Sequence, residues 1–150
     1  MSDEILEVDL LAFETGSASA RRAVVDGLVR SLRTGFVYVS HDVPDELIDA
    51  AYAGLEAFFS LPAEEKARFV APGTHGQTGY TGLLVETAAT AEVADWKEML
   101  NWARDVAPGH PLRTRFPHRY HEQVLPEAAV PGISQVLNTC LLYTSPRPRD

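Results

Sequence analysis

The residues best suited to bind a metal or move a proton are five histidines, His41, His75, His110, His118 and His121, and one thiol, Cys140. The tightest set is His118, His121 and Glu122. On a helix, steps of three and four bring His118 beside both His121 and Glu122. A zinc site wants three or four such ligands, with further groups holding the rings. The flanking Arg119 and Tyr120 favour an exposed polar helix end instead. His41 and Asp42 are adjacent, so on a strand their side chains point to opposite faces. Gly73, Gly76 and Gly79 match neither the nucleotide-binding loop nor the dinucleotide fingerprint. Cys140 has no basic neighbour in sequence to activate it as a nucleophile. Spacing alone assigns no catalytic residue and no metal ligand.

Residues 33–66 form the frame around which the chain is arranged. Phe36, Val37, Tyr38 and Val39 are a β-branched and aromatic run that reads as a buried strand. Gly35 before it suits the left-handed end of a preceding helix. Pro44 suits a first helical turn, where its missing N–H has no partner to lose. Leu47, Ile48, Ala51, Tyr52, Leu55, Phe58 and Phe59 then recur at three- and four-residue steps, giving one apolar face. The three pieces read as one packing unit. Pro62 restricts Leu61 and stops that helix. Glu64 and Glu65 favour the first turn of another short helix, with Lys66 on its exposed side.

Upstream, 5–13 reads as a first strand, Ser17 or Ser19 as a helix cap, and 20–33 as a helix with Val24, Val25, Leu28, Val29 and Leu32 inward. Downstream, 71–79 is a loop by composition. Strands over 80–86 and 96–102 follow, joined across 87–92 by a hairpin or a short helical turn. The stretch 104–118 is rich in Pro, Gly and Arg and reads as irregular. A helix begins near Ser134 and is expected to fail at Thr139, ahead of the alternating Pro and Arg that lead to Asp150.

Gly35-Phe36 followed by Val39, His41, Val43 and Pro44, then Phe58-Phe59-Ser60-Leu61-Pro62 and Glu65-Lys66, resembles the N-terminal region of the isopenicillin N synthase-like oxygenases. Val8-Asp9-Leu10 is similar to that family's opening strand. Gly79-Tyr80, Glu86 and Asp95-Trp96-Lys97-Glu98 sit where the family shows Gly-Tyr, an acidic residue and an Asp-x-Lys-Glu-like segment, and Phe116-Pro117 resembles its Phe-Pro. One departure is Ser40-His41-Asp42, which stands where the family usually has Asn-His-Gly. Asp adopts glycine's backbone angles less readily.

The resemblance implies an α+β fold, with N-terminal helices packed on the first strands of an incomplete double-stranded β-helix, or jelly-roll. It implies a non-haem iron(II) enzyme that oxidises a small organic substrate, and most such enzymes use 2-oxoglutarate. It also implies that the strand opening at Gly79-Tyr80 lines the pocket rim, with Gln77, Tyr80 and Thr81 facing the substrate; the alternative reading has Tyr80 packed in the sheet and Gln77 solvated. The family's iron is held by a His-x-Asp or His-x-Glu pair and a later His, two imidazoles and a carboxylate on one face of the metal. No histidine here has Asp or Glu two positions on, and the Arg-x-Ser that takes the 2-oxoglutarate carboxylate does not occur. The parent is therefore expected to bind iron(II) and 2-oxoglutarate with residues outside this sequence. The chain alone is expected to hold neither tightly and to be inactive.

Composition sets the outer limits. A chain of 150 residues is long enough for one domain with a core. Thirteen Lys and Arg against 21 Asp and Glu leave a formal charge of −8, which argues against nucleic acid or an anionic membrane as partner. No apolar run approaches the roughly 20 residues that span a bilayer. The acidic opening MSDEILEVD is unlike a signal peptide. One cysteine excludes an internal disulfide and fits a reducing cytoplasm. Residues 1–138 are expected to be the N-terminal region of the oxygenase, and 139–150 a non-native tail that resembles translated adaptor read-through. A jelly-roll cut short would leave strand edges open to self-association. The rival reading is a small non-enzymatic binding or regulatory domain, complete as it stands.

Overall fold

The computed structural model describes residues 4–87 and 92–144, with side chains described as far as Leu141. Helices and short strands mix in two compact units, Met1–Pro44 and Asp45–Asp150. The boundary falls inside the frame expected to be one packing unit, so its strand belongs to the first unit and its helix to the second.

In the first unit β1 (Glu7–Asp9) pairs in parallel with β2 (Tyr38–Ser40), Val8 opposite Val39. Parallel neighbours need a crossover, here supplied by α1 (Leu10–Thr15), α2 (Ala18–Ser31) and a 3-10 turn at Leu32–Thr34. The strand expected over 5–13 ends at Asp9. The Asp9 carboxylate accepts from the N–H groups of Leu11 and Ala12 at 2.9 and 3.1 Å and so starts a helix. Ser17 caps α2 in the same way, accepting from Ala20 N–H at 3.2 Å.

The inward side of α2 runs through Ala20, Val24, Gly27, Leu28 and Ser31, while Val25, Val29 and Leu32, expected inside, are exposed. The stripe ends on a polar residue. Fully buried Ser31 accepts from Leu6 N–H at 2.8 Å and donates to the Phe36 carbonyl at 2.7 Å, tying the approaches to both strands. Gly35 takes a φ of 86° at the end of the 3-10 turn, the left-handed geometry expected of it. Phe36, Tyr38 and Val39 are exposed, Phe36 by 68%, in place of the expected buried strand. The helices cover Val8, but a two-stranded ribbon has too few neighbours to bury both of its faces. Asp42 does not need glycine's angles, because the described non-glycine residues with positive φ are His75 and Leu84.

The second unit opens with α3 (Asp45–Phe59), directly after Pro44, and α4 (Ala63–Ala67). Phe58 is fully buried, and its ring meets Phe59, Phe69 and Tyr80 edge-on at 5.3, 5.8 and 5.8 Å. With Tyr80, Leu100, Ile133 and Leu137 it forms the core, flanked by Ala51, Leu55 and Leu61. Tyr52, expected on the same face, is 71% exposed. Gly54 lets α3 approach α6 (Ile133–Thr144), where an added Cβ would lie 3.3 Å from the Ile133 side chain.

β3 (Gly79–Thr81) runs antiparallel to β4 (Met99–Asn101), with Tyr80 opposite Leu100. The ladder is shorter than the strands expected over 80–86 and 96–102. Beyond it the segments stay paired irregularly, Leu84 N–H to the Asp95 carbonyl at 3.0 Å and Asp95 N–H to the Glu86 carbonyl at 2.7 Å. The expected 87–92 link falls largely on 88–91, outside the described residues.

The stretch expected to be irregular contains α5 (Pro111–Arg115), which starts because His110 Nδ1 accepts from Leu112 N–H at 3.1 Å and proline occupies the first turn. The last helix does not fail at Thr139. It passes unbroken to Thr144, since no helix breaker occurs before Pro146. Among the described residues no helix is long and apolar enough to cross a membrane.

Candidate functional site

Three segments remote in sequence meet beside β3 and β4. Lys66 on α4 places its ammonium 2.7 Å from Glu98 Oε2. It also donates to Glu98 Oε1 at 2.9 Å and to the carbonyl of Phe59, the last residue of α3, at 3.0 Å. A cation at a helix C-terminus satisfies a carbonyl the helix cannot and suits the helix dipole. Tyr80 donates its hydroxyl proton to Glu98 Oε2 at 2.5 Å, and the Lys66 ammonium lies 5.8 Å from the Tyr80 ring centre.

Lys66 is thus 7% exposed, against the expected solvated position. The turn at Pro62 points the inner side of α4 back at the end of α3, and Lys66 lies on that side. Burial tends to raise the Glu98 pKa, but the Lys66 and Tyr80 hydrogen bonds and the Lys66 charge outweigh it and hold the carboxyl below its usual range. Burial first, then the hydrogen bond to Glu98 and its negative charge, push the Tyr80 hydroxyl up to about 12. At neutral pH one partner stays ionised and the other protonated. The cluster is therefore built to hold the two strands in place, not to exchange protons.

The turn into β3 depends on Gly79. Its φ is 80°, and a Cβ there would lie 2.4 Å from the Phe69 carbonyl oxygen, which accepts from Tyr80 N–H at 2.8 Å. Only glycine fits so close an approach. Before it, buried Thr78 accepts from Val124 N–H at 3.0 Å and donates to Gln123 Oε1 at 3.3 Å. Gln123 Oε1 also accepts from Ala103 N–H at 2.7 Å, and Asn101 Nδ2 donates to the Gly76 carbonyl at 2.9 Å. These bonds fix the loop before β3 against the segments after β4.

The residues expected to face a substrate divide between two cavities. Gln77, exposed, lines one of about 470 Å³ that also includes Asn101, Trp102, Arg119 and His121. Tyr80 and Thr81, both buried, line one of about 360 Å³ with Val70, His75 and Val85. Both cavities include Gly76 and Glu86. The Tyr80 hydroxyl is already committed to Glu98. Sequence reasoning noted Lys66, Tyr80 and Glu98 only as separate pieces of a resemblance. The lysine between an acidic first turn and an aromatic-rich segment was the available signal, but solvated lysine is far commoner.

The histidines do not converge. His118 lies in an exposed turn after α5, not on a helix, and His121 is half-buried beyond it. His41 Nδ1 accepts from Val43 N–H at 3.2 Å within its own turn, and His110 caps α5. Among the described residues no three His, Cys, Asp or Glu side chains are grouped to hold a metal ion. The donor set present does not fit a facial iron site of two imidazoles and a carboxylate.

Comparison with known proteins gives this arrangement a context. The family described as "non-haem dioxygenase in morphine synthesis N-terminal" matches residues 7–127. A 2-oxoglutarate-dependent dioxygenase, imqE, of Aspergillus flavus is 35% identical over 89 residues, 57% of this chain and 24% of that protein. The flavanone 3-dioxygenase of Petroselinum crispum is 31% identical over 104 residues, 67% of this chain and 27% of that protein. A 2OG-Fe(II) oxygenase family protein from Caulobacter crescentus superposes with a TM-score of 0.70 at 29% identity, covering 93% of this chain and 43% of that one. A full-length Neurospora crassa protein solved with alpha-KG and thymine shares the fold at 19% identity, with a TM-score of 0.64 over 91% of this chain and 42% of that one. The chain spans about a quarter of the length of the curated relatives it matches. With the family match covering most of its length, the chain belongs to the N-terminal family of the non-haem dioxygenases.

Proposed function

We propose that this chain is the N-terminal part of an iron(II)- and 2-oxoglutarate-dependent oxygenase that oxidises a small organic substrate. It forms one wall of the substrate pocket against a jelly-roll, while the iron ligands and the 2-oxoglutarate anchor come from outside these 150 residues. The observation that carries this reading is the meeting of Glu65-Lys66, Gly79-Tyr80 and Lys97-Glu98 at one buried cluster beside β3 and β4. Those segments are among the ones that carry the resemblance to the family. A polar clamp of this kind fixes strand positions within the fractions of an ångström that a substrate wall requires. Gln77 and Thr81 supply polar groups for orientation. Tyr80, its hydroxyl spent on Glu98, supplies the surface of its ring.

The chain by itself then neither binds iron tightly nor turns over 2-oxoglutarate. The test supplies the purified chain with iron(II), 2-oxoglutarate and oxygen and measures bound iron and released succinate. A chain extended with the parent gene's downstream half is run beside it. We expect neither signal from the short chain and iron binding from the extended one. Stoichiometric iron on the short chain, lost when His118 and His121 are both replaced, would overturn the proposal. Absence of any metal-dependent activity from the extended chain would favour a non-enzymatic binding domain.

A further inference from the structure

We infer that the cavity of about 470 Å³ lined by Gln77, Trp102, Arg119 and His121 binds a small organic carboxylate, with the Arg119 guanidinium as its charged anchor. Its volume lies within the range of small-molecule sites, and its polar groups fall into two sets. Asn101 and Gln123 are spent on backbone and on Thr78, so they shape the wall. Glu86, the one carboxylate of the lining, pairs with Lys97 at 3.0 Å, a cation it shares with Asp95 at 3.0 Å, and makes no ion pair with Arg119. Arg119 has no ion pair among the described residues. The guanidinium is thus the one charged donor of the lining that no carboxylate among the described residues engages.

The donors point to the same chemistry. Trp102 lines this cavity, and its indole N–H is buried with no hydrogen-bond partner among the described residues. A donor in that state bears the desolvation cost of an unmade bond, which an acceptor oxygen would relieve. Trp102 is half-buried and packs against the core cluster, which holds its indole at the wall of the cavity. Gln77 adds an uncommitted amide. A guanidinium is matched best by a planar carboxylate, which it can grip with two parallel bonds. Met99 and Ala103 leave part of the wall apolar, which suits an acid with a compact hydrocarbon body over a free inorganic anion.

The assignment deepens the pocket-wall reading of Gln77 and rests on it. Its test measures binding and not turnover, so its failure leaves the oxygenase reading standing. The chain has two tryptophans, and Trp96 is 80% exposed, so Trp96→Phe leaves Trp102 as the sole indole reporter. The indole N–H resonance of that variant is followed while sodium benzoate, benzamide or inorganic phosphate is added. We expect a saturable shift with benzoate, at least about tenfold weaker binding of benzamide, and a loss of about tenfold or more for benzoate in Arg119→Gln. Equal binding of benzamide would overturn the charge argument, and phosphate binding as tight as benzoate would overturn the organic-acid assignment. An unmoved indole resonance would overturn the site. Arg119 is exposed, so its replacement should leave the melting curve unchanged. If it does not, the benzoate and benzamide comparison decides the matter without a variant.

Discussion

Lys66 follows the Pro62 turn and reaches two acceptors at once, the Glu98 carboxylate and the closing carbonyl of α3. Removing one member of a buried ion pair costs about 3–5 kcal/mol, because the other charge is left without its partner. The Glu98 side chain is 24% exposed, so water recovers part of that loss. Lys66→Ala should therefore cost about 2–3 kcal/mol by urea unfolding, where a solvated lysine would cost under about 0.5 kcal/mol. The pH dependence follows from signs. The folded Glu98 pKa lies below its unfolded value, so its contribution is present above the ordinary glutamate pKa of about 4.3 and is lost as the pH falls through the lower folded value. Tyr80 acts at the other end. Its folded pKa of about 12 lies above the ordinary 10.0, so its contribution is lost as the pH rises through that interval. The unfolding free energy, measured at a series of acid pH values, should fall more steeply with falling pH in the unsubstituted chain than in Glu98→Gln. Equal acid sensitivity in both would place the effect on other carboxylates.

The strand β3 depends on Gly79 and the helix α3 on Phe58, and both dependencies can be separated from weaker versions of themselves. Gly35 and Gly79 both have positive φ, but only at Gly79 would a Cβ strike backbone, the Phe69 oxygen at 2.4 Å. Gly35→Ala should cost about 1 kcal/mol from backbone strain alone. Gly79→Ala should cost at least about 2 kcal/mol more, because backbone must move as well. A similar loss for both would show that the chain relaxes easily around Phe69. On α3, Phe58→Ala should cost about 3–5 kcal/mol. Tyr52→Ala, six residues earlier and 71% exposed, should stay within about 0.5 kcal/mol.

Across the whole molecule, large apolar side chains lie open in both units: Val29, Phe36 and Tyr38 in the first, Val85, Val93 and Trp96 in the second. Among the described residues each sheet has two strands, and although Val70 bridges the second edge of β3 at Gly79, β1, β2 and β4 each keep an edge without a sheet partner. The chain covers 43% of the Caulobacter oxygenase-family structure it resembles. If the remainder of a parent protein normally covers these surfaces, the short chain should self-associate. Sedimentation velocity should show the weight-average mass rising with concentration, and the downstream extension should suppress that rise. A chain that stays monomeric at every concentration would show that these surfaces are tolerated in water.

The amino-acid sequence determined by itself whatever depends on neighbours along the chain. Ser17 as a cap, Gly35 as a left-handed residue, the helix after Pro44, the stop at Pro62 and the family likeness follow from local sterics, local hydrogen bonds and residue order. The helix started by Asp9 and the continuation of α6 past Thr139 were legible in the same terms, through an N-cap carboxylate and the lack of a breaker before Pro146. Tertiary structure alone decided which faces were inside. Periodicity put Val25, Val29 and Tyr52 in the core and Lys66 in water, because hydrophobicity ranks residues without knowing how many layers will cover them. It also decided that residues 32 apart, Lys66 and Glu98, would share a buried contact with Tyr80. A charge enters an interior only when the fold delivers its counter-charge to the same place, and no local rule carries that information.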